Sequence, residues 1–198
     1  MPDKTRSYRM QRRAESQQQT RLRITESAVA LHGSVGPSRT TISAVAAHAG
    51  VRRSTVYRHF PDETALFDAC TAHWAAANPP PELDAWSAIA NPDERLRVAL
   101  DELFAFYRRA ESMLDNLFRD ETTTPLVQER FAAFRSYLEA ALDALMAGRN
   151  LRGTARRRTR AALGHAIAFS TWKSLVREQR LSKSDAATLV RALVGAAS

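Results

Sequence analysis

The chain is short of the residues that build covalent or glycine-framed sites. A single cysteine, Cys70, occurs in 198 residues. No internal disulfide can form, and a reducing compartment is the expectation. No apolar run approaches the ~20 residues that a membrane-crossing helix needs. None of signal-peptide length follows the basic start, so a cytoplasmic protein with no membrane partner is expected. Glycine-rich phosphate loops, a nucleophile elbow and clustered histidine and carboxylate motifs are missing, which leaves catalysis without residues to rest on. No enzyme, no cofactor and no metal are therefore expected. Strand-like alternation and internal repeats are missing too, and the fold class is read as all-α.

Acid is scarce in one place only. Residues 1–60 hold Asp3, Glu15 and Glu26 against 11 lysines and arginines, a balance of +8, which is the formal net charge of the whole chain. The remaining residues carry 18 basic and 18 acidic side chains. A basic segment on a charge-balanced body suits a module that binds a polyanion, because neutralised phosphates supply most non-specific nucleic-acid affinity. A solvated basic tail is the plainer alternative.

Residues 1–19 are polar, basic and almost without apolar side chains, which predicts a disordered arm. From Thr20, Ile24, Ala28 and Leu31 recur at helical spacing until Gly33, Gly36 and Pro37 end the pattern. Thr40 or Thr41 can cap a second short helix that runs through Ala47. Gly50 interrupts it, and a third helix follows from about Arg52 to His59. Pro61 and Asp62 open a fourth, and the prolines of 78–81 mark a break. Beyond the break, Leu96, Leu100, Leu103 and Tyr107 mark one helical face, and Val127, Phe131, Phe134, Leu138, Leu142 and Leu145 another. A helix over 155–180 and a last one from the cap candidate Ser182 complete about nine.

The informative stretch runs from Thr40 to Leu66. Ile42, Val45, Ala46, Val56 and Phe60 are the inward positions, and Ala49-Gly50 is a turn small enough to let two helices cross closely. Arg52, Arg53, Ser54, Thr55, Tyr57, Arg58 and His59 remain outward. Guanidinium groups bond bidentately to guanine, and residues early in a recognition helix lie nearest base edges, so this face suits a major groove. A solvated arginine-rich helix would lack the reason for so tight a turn.

These residues resemble the TetR family: Ala46, Ala49-Gly50-Val51, Thr55, Tyr57, His59-Phe60 and Ala65-Leu66 stand where its pattern expects them. In that family a three-helix DNA-binding domain precedes a larger helical domain for ligand binding and dimerisation. The resemblance implies a helix-turn-helix domain over 20–66 and an effector-binding and dimerisation domain over 67–198. It implies that Thr41, with Thr40 beside it, caps the second helix and meets phosphate. Arg53, Ser54 and Thr55 would lie near bases, and Tyr57 and His59 would touch the backbone. Two departures stand out. Arg52 replaces the usual serine that caps the recognition helix. Glu63 replaces the usual cation at the start of the fourth helix, where it favours the helix dipole but repels phosphate.

In the C-terminal part, Phe104, Tyr107, Phe134, Phe169 and Trp172, with Arg119 and His165 as polar anchors, are the candidates for a site that takes a small hydrophobic or aromatic effector. Core packing is the competing role of each ring. Gly164, Ala168, Thr171, Leu175, Val190, Leu193 and Val194 are the candidates for a homodimer interface. A double-stranded operator read by two such helices calls for a dimer. The functional expectation is a repressor released from a palindromic operator by its effector. A ligandless or architectural DNA-binding protein is the alternative, and an enzyme the remote one. Cys70 and His73 share a helical face at metal-ligand spacing, yet no two further ligands lie near them.

Overall fold

A computed structural model describes residues 4–197, with side chains from Tyr8 onward. Among these residues the regular structure is helical throughout. The chain divides into two compact units, one holding Met1–Ala77 with Asp115–Arg130, the other Asn78–Leu114 with Phe131–Ser198. The first unit runs on to Ala77, past the boundary at residue 66 that the resemblance implies for the DNA-binding domain, and takes in a second stretch of chain.

In the first unit, α1 (Lys4–Ser34) buries Ile24 and Ala28. The arm expected to be disordered is helical from Lys4, a continuation of α1, while residues 1–3 lie outside the described residues. α2 (Ile42–His48) starts at Thr41, whose hydroxyl accepts the Ala44 N–H at 3.1 Å, a cap that satisfies one of the helix's orphan donors. Its other end is a Schellman motif: the Val51 N–H reaches the Ala46 carbonyl at 2.9 Å, and the Gly50 N–H the Ala47 carbonyl at 3.1 Å. That geometry needs a left-handed residue, and Gly50 has φ +63°. A Cβ at Gly50 would meet nothing within 4 Å. The glycine therefore serves its backbone angle, not the close crossing of helices; buried Ala49 is the small residue at the crossing.

α3 (Arg53–His59) follows, with Arg52 at its N-cap and no side-chain cap bond. Asp62 then caps α4 (Glu63–Ala77) by accepting the Ala65 N–H at 2.7 Å. One core joins the four: Ile24, Ala28, Ile42, Val45, Ala46, Ala49, Val56, Phe60, Leu66 and Cys70.

The second unit carries α5 (Leu83–Ser87), most of α6 (Pro92–Asp120) and α7 (Pro125–Met146), then α8 (Gly153–Ala166), α9 (Phe169–Lys173) and α10 (Lys183–Ala197). Arg95 is 5% exposed, and its guanidinium donates to the carbonyls of Trp86, Ile89, Ala144 and Ala147. Those carbonyls lie at the C-terminal ends of α5 and α7, where orphan acceptors and the negative helix poles suit a cation. The single helix expected over 155–180 is broken at Ala168, which takes an extended conformation (φ −69°, ψ 138°). The Tyr107 hydroxyl donates to the Ile167 carbonyl at the break, and a π-helical turn, Ser174–Glu178, follows α9. Ser182 caps α10 as expected, accepting the Asp185 N–H at 3.1 Å while its hydroxyl donates to the Asp185 carboxylate at 2.7 Å.

Candidate nucleic-acid interface

α3 divides cleanly into an inner and an outer face. Val56 is fully buried and Phe60, which ends the helix, is 1% exposed. Arg52, Arg53, Ser54, Tyr57 and Arg58 are exposed, and Thr55 and His59 half-buried. Tyr57 keeps 42% of its surface, so it is not an ordinary core ring. From Ser27 to Pro61 the chain has no aspartate or glutamate, so nothing acidic in this stretch neutralises the face.

The end of α3 is clamped from α1. Arg21 donates to the His59 carbonyl, and its guanidinium lies 4.0 Å from the centre of the Phe60 ring. A cation over an aromatic face and at a helix C-terminus is favourable on both counts. His59 itself has a pKa below the usual histidine value, first because of burial and then because of the Arg58 and Arg21 charges. Its Nε2 is buried without a hydrogen-bond partner. A phosphate contact through that atom requires the ring to turn outward.

The two threonines differ. Thr40 is half-buried and donates to the Gly36 carbonyl at 2.8 Å, so its hydroxyl proton is already committed. Thr41 is exposed, and its oxygen serves as the α2 cap, which leaves its proton available for an anion. Glu63 is exposed at the start of α4.

The loop between α1 and α2 is held by the second stretch of the unit. Asn116 donates to the His32 and Gly33 carbonyls at 2.9 and 3.0 Å, Arg119 to the Val35 carbonyl at 3.0 Å, and Asp120 accepts the Ser38 N–H at 2.9 Å. Burial pushes the Asp120 carboxyl upward, but the Arg119 guanidinium and the Ser38 donors outweigh it and hold the group below its ordinary value. Gly36 has φ +97°, and a Cβ there would stand 2.1 Å from the Arg119 guanidinium and 2.6 Å from the Asp120 carboxylate. Nothing in the sequence pointed to this clamp, because Asn116 and Asp120 lie more than 80 positions from their partners.

The effector candidates are not all brought together. Phe104, Tyr107, Phe169 and Trp172 are buried in the second unit, where Tyr107 meets Phe169 edge-on at 5.5 Å and Phe169 stacks on Trp172 at 5.5 Å. Phe134 is half-buried and faces Phe106 at 6.0 Å. Arg119 belongs to the first unit and serves the clamp, so it is no anchor for these rings. His165 is exposed, with Thr171 as its neighbour at 3.3 Å. A cleft of about 230 Å³ opens in the first unit, between His32, Thr41, Glu63, Phe67 and Val127. Burial lowers the His32 pKa to about 4, against the opposing pull of Asp120.

The dimer candidates also divide. Val190 and Val194 are each 1% exposed, and Thr171 is 6% exposed, so these three are packed within the chain itself. Gly164, Ala168 and Leu175 are half-buried, and Leu193 is 53% exposed. Its neighbour one turn back, Leu189, is 42% exposed and was not singled out by sequence, although the i, i+4 spacing of two leucines was there to be seen. Cys70 donates its thiol to the Thr25 carbonyl at 3.7 Å, and burial pushes its pKa up to about 12. A thiol so placed packs as a small apolar group. Among the described residues no three His, Cys, Asp or Glu side chains are grouped to hold a metal ion, and no helix is long and apolar enough to cross a membrane.

Residues 24–70 match the family model described as bacterial regulatory proteins, tetR family. No curated protein matches the chain. Solved structures that resemble it include a TetR-like transcriptional regulator from Rhodococcus sp. RHA1, with a TM-score of 0.63 at 19% identity, covering 88% of this chain and 93% of that one. The Bacillus subtilis regulator FadR in complex with stearoyl-CoA has a TM-score of 0.57 at 18% identity, covering 87% and 96%. A TetR transcription regulator from Haloarcula marismortui has a TM-score of 0.58 at 13% identity, covering 90% and 98%. At such identities the likeness is one of fold.

Proposed function

We infer that this chain, which belongs to the TetR family through its N-terminal DNA-binding domain, represses transcription as a homodimer seated on an inverted-repeat operator. The observation that carries the reading is the outer face of α3, cationic and hydroxyl-bearing, exposed, and with no acid between Ser27 and Pro61. Arg53 and Ser54, in the first turn, read base edges in the major groove; Arg52, Thr41 and Tyr57 bind phosphates. Phosphate contacts hold the register, and base contacts choose the sequence. Two such helices one DNA turn apart, ~34 Å, require two copies of the chain. The exposed Leu189 and Leu193 of α10 favour that helix as the contact between copies.

Release is the work of a small hydrophobic or aromatic effector in the second unit. The same helix, α6, carries Phe104 and Tyr107 and ends in Asn116, Arg119 and Asp120, the clamp on the loop before α2. A ligand that shifts α6 would disturb that clamp, and DNA affinity would fall by the coupling free energy between the sites. The FadR likeness makes a long-chain acyl-CoA the first effector to try. The close packing of Tyr107, Phe169 and Trp172 favours a second reading, a regulator that answers to no effector.

Selection of bound duplexes from a random pool at near-physiological salt tests the first claim. An enriched inverted repeat, bound far better than random DNA, is the expected result; salt-sensitive binding without enrichment overturns sequence reading. Titration of the winning duplex with and without stearoyl-CoA and a set of aromatic acids then tests release. Unchanged affinity throughout would leave the ligandless reading.

A further inference from the structure

The first helix outruns the domain it serves. Every residue from Tyr8 to Gln19 is exposed, and the first buried residue of α1 is Ile24. The overhang is therefore held only by its continuation into an anchored helix. A separate helix of that length is marginal in water.

The side chains of the overhang are sorted around its axis. At about 100° per residue, Arg9, Arg12, Arg13 and Ser16 share one side. Glu15, the only acid among the described residues of the overhang, lies about 60° round the axis from Arg12 and accepts from Gln11 at 3.1 Å. Three guanidinium groups face one carboxylate in the described overhang, and Arg12 lies 5.8 Å from the centre of the Tyr8 ring. The point of departure is equally specific. Arg21, just inside the overhang, is the residue bonded to the His59 carbonyl and seated over Phe60. The overhang therefore leaves the domain at the C-terminal end of α3.

We propose that this overhang is a second DNA-binding element, which lies along the phosphates flanking the half-site and uses Arg9, Arg12 and Arg13 as backbone contacts. The proposal rests on the reading of α3 as the recognition helix. Twelve residues at 1.5 Å each reach ~18 Å, or roughly five base pairs of flanking duplex. Guanidinium groups on phosphates add affinity and salt dependence without adding base preference. The arm thus lengthens the footprint and leaves the recognised sequence unchanged.

The test compares the full chain with R9Q/R12Q/R13Q and with a chain lacking residues 1–15, on the selected duplex with long and with trimmed flanks, over a range of salt. Since the three arginines are exposed, the triple variant should keep its helicity and melting temperature, and circular dichroism checks both. The expected result is a slope of log Kd against log salt shallower by about 5 for the dimer, roughly 2 to 3 for each arm, in both altered chains, with the preferred sequence unchanged. Trimming the flanks should weaken the full chain and leave the altered chains unaffected. Equal slopes and equal flank dependence in all three would overturn the proposal, as would a change in dimer mass, which would make the overhang a contact between copies. The slope comparison also runs on random duplex. Failure to enrich any site would count against α3 as reader, while the slopes would still decide the arm.

Discussion

The two units of this molecule solve opposite problems. The first must keep a cationic face exposed, and its core is aliphatic, with Ala28, Ala46 and Ala49 among Ile24, Ile42, Val45, Val56 and Leu66 and a single large ring, Phe60. Its precision comes from caps and clamps at helix ends: Thr41, Gly50, Asp62, Arg21 and the Asn116–Asp120 group. The second unit, with 16 basic and 11 acidic side chains, buries large rings, among them Trp86, Phe104, Tyr107 and Trp172. The guanidinium of Arg95, buried there, ties two helix ends together and does no work at a surface. A recognition surface here is specified by what holds its helices by their termini, and a body by what fills it.

The largest effect expected from breaking this contrast is in the body. Arg95→Leu takes a donor from four carbonyls at the ends of α5 and α7; that of Trp86 keeps the Ile89 N–H, and the other three cost about 1–3 kcal/mol for each acceptor that water cannot reach. Urea unfolding should show the second unit collapsing at lower denaturant, and a loss under about 1 kcal/mol would mean that water replaces the guanidinium. Arg53→Ala should leave stability within about 0.5 kcal/mol, as for an ordinary surface change, yet cost about 1–3 kcal/mol of discrimination between operator and random DNA. Equal weakening on both would make Arg53 a phosphate contact. Gly50→Ala should cost about 1–2 kcal/mol through its left-handed backbone alone, since the space for a methyl group is open. Gly50→Asn should recover part of that loss; if it did not, crowding at the crossing would be the cause after all.

The smallest effect sharpens the clamp. The Asp120 carboxyl is held below its ordinary value in the folded chain, so the stabilisation it contributes is present above the unfolded carboxyl pKa of about 3.9 and is lost as pH falls through the folded value. The difference in stability between the native chain and Asp120→Asn should therefore shrink as pH drops below about 4. A gap that stayed constant there would assign the Ser38 and Arg119 bonds to packing alone.

Local signals carried the recognition helix. Apolar spacing, the Thr41 cap, Gly50 and the Asp62 start are written within seven residues of the element each controls, and α2, α3 and α4 lie within two residues of their expected limits. Where such signals conflict with distant contacts, the sequence misled. The arm of 1–19 has the composition of a disordered segment, but it is spliced onto an anchored helix that removes the cost of nucleation. The 155–180 stretch has no breaker at 168. The break coincides with a hydrogen bond from Tyr107, 60 positions away.

The amino-acid sequence by itself determined the all-helical class, the helix-turn-helix and the concentration of positive charge on its outer face, because periodicity, caps and charge act over a turn or two of chain. Only the tertiary structure decided that Arg119 belongs to the loop clamp and not to a ring-lined site, that Val190 and Val194 point into their own unit while Leu189 and Leu193 point out, and that Arg95 is buried. Those outcomes depend on which distant carbonyl or helix comes to lie opposite each side chain, and no periodicity along the chain encodes that.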